Sequence, residues 1–207
     1  MVLFEIAVIL FIVFFSVIIH EYSHGMAAYL NGDDTARVMG RLTLNPLPHI
    51  DPLWTIGLPL LLVLTRSPIV FGMAKPVPIN PYRFRDFDRG LLQVGAAGPL
   101  SNILLGTVFS LLYGIVGIES GIGEFLAFGG FINFILAFFN LIPIPPLDGS
   151  RIVSVFLPPG IRARYEGLER GGIIIVMVLL LSGLFRFVAW AAQAMVILVS
   201  RTPFTGF

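Results

Sequence analysis

From Val2 to Ile19 the chain carries one charged residue, Glu5. Wound as a helix, residues 2–19 reach about 27 Å at ~1.5 Å per residue, close to the ~30 Å hydrocarbon thickness of a bilayer. A soluble fold would have to bury such a run on every side. Composition decides against that. The chain is 57% hydrophobic and 12% charged, with a mean hydropathy of +0.92, where soluble domains carry ~25% charged residues. Too few polar residues remain to cover a soluble surface of this size, so lipid is expected to cover much of it. The run has no basic leader and passes straight into His20-Glu21-Tyr22-Ser23-His24. A retained membrane helix is therefore expected, not a cleaved signal peptide.

Two further apolar stretches have spanning length: Leu91 to Ile118, opening with the small residues Gly95-Ala96-Ala97-Gly98, and Phe125 to Ile142, closed by prolines 143, 145 and 146. Small residues allow close helix approach in a membrane. Leu53 to Thr65 is apolar but short and holds Pro59, which favours a re-entrant segment over a span. Residues 172–200 are apolar, and Gly183 with Arg186 is expected to split them, one long tilted helix being the alternative. Residues 150–170 mix arginines with apolar side chains and read as interfacial, broken at Pro158-Pro159. Arg41 to Asn45 alternates polar and apolar, as a short strand or extended edge does. The fold expected is an all-α polytopic membrane protein. It is one membrane-embedded domain over 1–207, with core spans at about 2–30, 91–118 and 125–145, additional membrane helices, and a short β-like or extended segment after the first helix.

Charge sets the expected orientation. The loops at 66–89 and 150–170 are Arg-rich, whereas 119–124 holds two Glu and no Lys or Arg. Cytoplasmic loops carry the excess of Lys and Arg, so the ends of the first and third core spans are expected on the cytoplasmic side. Net charge is +1, so no basic field points to nucleic acid. There are no cysteines, so a disulfide framework and a Cys-based zinc site are excluded, and any metal must be held by His and carboxylate.

His20-Glu21-x-x-His24 carries the sharpest chemistry. Residues four apart on a helix share a face, so both imidazoles can reach one tetrahedral Zn²⁺ while Glu21 faces the water that the metal activates. The bland alternative is a pair of buried histidines packing a helix end, but ionisable groups inside an apolar span are costly and usually functional. A catalytic zinc takes a third protein ligand. His49, Asp51 and Asp148 are candidates. Glu5 is not, since it lies ~22 Å from His20 along the same helix. Asp148 follows the third clear span at the expected level of His20, between Pro146 and Gly149, although an Asp there can also be a helix N-cap.

Phe139-Asn140-Leu141-Ile142-Pro143-Ile144-Pro145-Pro146-Leu147-Asp148-Gly149, taken with His20-Glu21-Tyr22-Ser23-His24, resembles the site-2 protease family of intramembrane zinc metalloproteases. Gly98-Pro99-Leu100-Ser101-Asn102 matches a third family stretch. The motifs run in the family's order on three successive spans, from about residue 15 to 155. The chain is most similar to the short prokaryotic branch, with Gly40-Arg41-Leu42-Thr43-Leu44-Asn45-Pro46 and Lys75-Pro76-Val77-Pro78. Neither a PDZ-like insertion nor a C-terminal regulatory domain, which some family members have, is expected. The resemblance implies one Zn²⁺ per chain held by His20, His24 and Asp148, a three-helix catalytic core, and cleavage of transmembrane protein substrates in the bilayer of a prokaryotic plasma membrane.

Asn140 is a candidate catalytic residue, hydrogen-bonding a substrate backbone or a developing oxyanion; helix capping is its bland role. Asn102 is a weaker candidate of the same kind, and Asn133 reads as interhelical glue. His49 could gate the site, bind a second metal or be solvated. A substrate strand could add to an edge at 40–45. Two rival functions remain at this stage. One is another membrane metalloprotease type whose third ligand is a Glu on a later helix. The other is a non-proteolytic zinc-binding or transport protein, which would line several spans with His or carboxylate; the core spans have almost none.

Overall fold

The computed structural model describes all residues except 1, 58–60, 62–63, 66–73, 118, 182 and 205–207. Three long apolar helices dominate it: α1 (Val2–Leu30), α3 (Phe87–Val116) and α4 (Gly121–Asn140), with the single-turn α2 (Thr35–Val38) between the first two. Four shorter helices follow: α5 (Asp148–Ser154), α6 (Pro159–Gly167), α7 (Gly172–Leu181) and α8 (Leu184–Ser200). In α1, α3 and α4 the stretches Phe4–Leu30, Phe87–Val116 and Gly121–Asn140 are long and apolar enough to cross a membrane. Ile174–Leu180 and Leu184–Ser200 would count as a fourth span only as one broken element, bent by 66°. The split falls at Gly183, whose φ of +80° is open to glycine and strained for other residues.

Local chemistry sets the helix ends. Asp86 accepts a hydrogen bond from Arg89 N at the start of α3, and Ser120 accepts from Gly123 N at the start of α4, each satisfying an amide left without a helical partner. Helix α1 stops at Asn31-Gly32, and the buried carboxylate of Asp33 then accepts from Thr35 N and Asn80 N. That carboxylate joins the turn after α1 to the chain that leads into α3.

Helix α3 is central, packed on α4 along one side and α1 along the other, while α8 closes against α4 and α3. Tyr113, Ala127, Phe134, Ile135, Val188, Ala192 and Val196 form the core between them. Gly129 lets α3 and α4 approach, since a Cβ there would come within 2.6 Å of the Phe109 ring. By contrast Leu104 and Ile115 on α3 and Phe187 and Trp190 on α8 point outward and exposed, the arrangement expected of faces solvated by lipid.

One expectation about the fold changes. No strand occurs among the described residues, and 42–44, expected as a strand or extended edge, are bends. Thr43 Oγ1 accepts from Asn45 N, and Asn45 Oδ1 accepts from Leu47 N, so side chains take the amides a ladder would use. Of the stretch 53–65, expected to be re-entrant, residues 58–60 and 62–63 lie outside the described residues, and Pro52–Gly57 is a π-helical turn.

Candidate metal centre

His20 and His24 lie one turn apart on the inward face of α1, and both are buried. Their Nε2 atoms are 2.9 Å apart, and each lies 3.1 Å from Asp148 Oδ2. Neighbouring ligand atoms around a tetrahedral zinc with bonds of ~2.0–2.1 Å are ~3.3 Å apart, so this triangle has the right scale. These three side chains form the one group of metal-ligating residues among the described residues.

The opposite sides of the rings fix which nitrogen is free. His24 Nδ1 lies 2.7 Å from Val94 O, which can only accept, so Nδ1 carries the proton. His20 Nδ1 lies 2.5 Å from Asn102 Oδ1. Asn102 is oriented by its own amide nitrogen, which donates to Asn133 Oδ1 at 2.9 Å. Asn133 in turn donates to Ser16 Oγ. Both neutral imidazoles thus turn an Nε2 lone pair toward Asp148. Two lone pairs and a carboxylate facing one point repel unless a cation lies among them. The donor set of two imidazoles and one carboxylate suits zinc.

Helix α3 shapes the space. Pro99 has no N–H to give Gly95 O, which loosens the turn whose Val94 carbonyl receives His24. At Gly95 an added Cβ would meet Asp148 O and Arg151 Cβ at 3.1 Å, so glycine lets α5 seat and carry Asp148 inward. At Gly98 an added Cβ would lie 2.4 Å from His24 Nε2 and 2.6 Å from His20 Nε2, against the two nitrogens that face Asp148. His20 sits ten residues before the end of α1 at Leu30, about 15 Å along the helix.

Glu21 is half-buried beside the triad, and its Oε2 accepts from Val77 N at 2.8 Å. Asn140 ends α4, where its Nδ2 donates to Leu136 O, and no hydrogen bond joins it to the triad among the described residues. Among the candidate third ligands, Asp51 instead accepts from Leu53 N. His49 is fully buried, with Nε2 donating to Thr43 O, which overturns the solvated reading; it lies in no second metal-ligating group among the described residues. Reasoning from sequence gave Asn102 a weak role, took Gly98 as a packing residue, and missed the Val94 carbonyl. The Gly-Pro-x-x-Asn stretch was the available signal for the first two.

Apolar helices enclosing a buried His-His-Asp triad, with a carboxylate next in sequence to the first ligand, define a metallohydrolase of membrane-protein type. The family model of peptidase family M50 matches residues 114–183, which include Asp148. YwhC of Bacillus subtilis, a zinc metalloprotease by name, is 40% identical over 180 residues, covering 83% of this chain and 78% of its own. Rip2 of Mycolicibacterium smegmatis, named likewise, is 30% identical over 172 residues, covering 81% of this chain and 64% of its own length. No solved structure matches the chain. The chain belongs to peptidase family M50, the site-2 proteases. It is a zinc metalloprotease and an integral membrane protein.

Proposed function

We propose that this protease cleaves peptide bonds of transmembrane protein substrates within or near the bilayer, with one zinc per chain on His20, His24 and Asp148 and with Glu21 as general base. The observation that carries the reading is the convergence of the two Nε2 atoms and Asp148 Oδ2 within 3.1 Å of one another. The site's position about 15 Å from the end of α1, measured along the helix, supports hydrolysis at membrane depth.

Zinc at this triad supplies a Lewis acid that makes water nucleophilic near neutral pH. Glu21 takes one proton from the attacking water as its oxygen bonds to the scissile carbonyl carbon, then returns it to the leaving amine as the C–N bond breaks. The second proton of the water stays with the new carboxyl group. Asn102 and Val94 hold the imidazoles in the ligating tautomer. Asn140, at the end of α4, is available to hydrogen-bond an unwound substrate backbone. Lys75, Arg83, Arg85 and Arg89 before or at the start of α3, and Arg151, Arg162, Arg164 and Arg170 after α4, support a cytoplasmic orientation of this end in a prokaryotic plasma membrane.

The test is cleavage of a model transmembrane substrate by the purified full chain in detergent, wild type beside Glu21→Gln, with zinc measured in both. Zinc in both and cleavage only by the wild type is the expected result. Full activity of Glu21→Gln would sink the assignment of the base.

A further inference from the structure

The metal triad leaves unexplained the segment that meets Glu21. Residues 74–80 run without helix or turn up to the 3-10 turn Pro81–Arg83. Three attachments fix this run. Lys75 N donates to His49 O at 2.9 Å. Buried Arg41 donates Nη2 to Lys75 O at 2.7 Å and to Pro76 O at 3.2 Å. Asn80 N donates to Asp33 Oδ2 at 2.6 Å.

Pro76 and Pro78 have no N–H, and a proline holds the residue before it extended. Val77 therefore presents the one amide donor of Pro76-Val77-Pro78, and that donor points at Glu21 Oε2, 2.8 Å away. The Val77 side chain locks the register. Its Cγ1 lies against Gly25, one turn beyond Glu21 on α1, where an added Cβ would come within 2.9 Å of it. This is the one hydrogen bond of the Glu21 carboxylate among the described residues, and it leaves Oε1 unengaged. Holding one oxygen fixes the rotamer of a flexible side chain, and a base placed before the reaction does not have to be ordered during it.

We propose that the backbone amide of Val77 is a positioning group for Glu21, and that Arg41 is the residue that holds this amide in place. The inference rests on the reading of Glu21 as the base. It accounts for a buried guanidinium spent on two main-chain carbonyls.

The experiment uses the full chain in detergent with a model transmembrane substrate. Val77 is replaced by its α-hydroxy acid analogue, which turns the 76–77 peptide bond into an ester; this removes the N–H that meets Glu21 and weakens Pro76 O as the longer of the two acceptors of Arg41, leaving Lys75 O unchanged. Arg41→Ala, the combination of the two changes, and Glu21→Gln are measured alongside. The ester is expected to lower kcat about tenfold or more, the scale of one hydrogen bond to a charged group, with KM and zinc content unchanged. Arg41→Ala is expected to lower kcat similarly, and the combination to cost little beyond either alone, because both changes act through one contact. An ester enzyme with wild-type kcat, while Glu21→Gln is inactive, overturns the positioning role and spares the base. Zinc loss in step with activity assigns the segment to site integrity and also overturns it. Full activity of Glu21→Gln removes the reading beneath it.

Discussion

His20 donates from Nδ1 to Asn102 Oδ1 across 2.5 Å, and so α3 fixes the ring nitrogen that His20 turns to Asp148. Asn102 is fully buried, and its amide is oriented by Asn133 on α4. All three core helices therefore contribute to the aim of a single imidazole.

Asn102→Ala is expected to weaken zinc binding by about 10–100-fold, the usual cost of losing the partner behind a ligating histidine. Competition with a chelator of known affinity measures it. Wild-type affinity in that variant would show that His20 is aimed by packing alone.

Gly98→Ala is expected to abolish zinc retention and cleavage while the helices stay folded, because its Cβ would lie 2.4 Å from His24 Nε2. Gly95→Ala meets neighbours at 3.1 Å instead, which a small shift of α5 relieves, so its loss is smaller. Zinc content and circular dichroism of the two purified variants check the order.

Asp148→Ala removes one of the three converging atoms and is expected to leave the protein without stoichiometric zinc. Asp51→Ala leaves the triad intact and is expected to retain both zinc and cleavage. Elemental analysis after gel filtration separates them, and zinc bound at parity in both variants would assign the third ligand elsewhere.

Phe134→Ala is expected to cost about 3–5 kcal/mol, the usual price of emptying a fully buried aromatic site. Phe134 is 0% exposed, lies in the core shared by α3, α4 and α8, and is remote in sequence from the ligands. A thermal melt in detergent reads the loss, and zinc stoichiometry at low temperature is expected to survive it.

Much of this protein is legible in one dimension because the signals are local. Hydropathy marks the three long helices, since every peptide group in hydrocarbon must be satisfied inside its own segment. Helical period puts His20 and His24 on one face. Gly183 splits the last apolar stretch, as its position predicts. The bends at 42–44 were less legible. Their alternation is real, but short side chains capture the backbone amides there and defeat the strand pattern.

By itself the sequence determined the apolar helices, the spacing of the zinc motif and the family, all of which depend on residue order along one segment. Tertiary structure alone decided that Asp148, 124 residues from His24, reaches the imidazoles, that Gly98 leaves space beside them, that Asn102 aims His20, and that Val77 meets Glu21. Those contacts join segments whose separation in sequence carries no periodic signal. They exist because helix packing brings small residues together and lets the polar groups behind them pair.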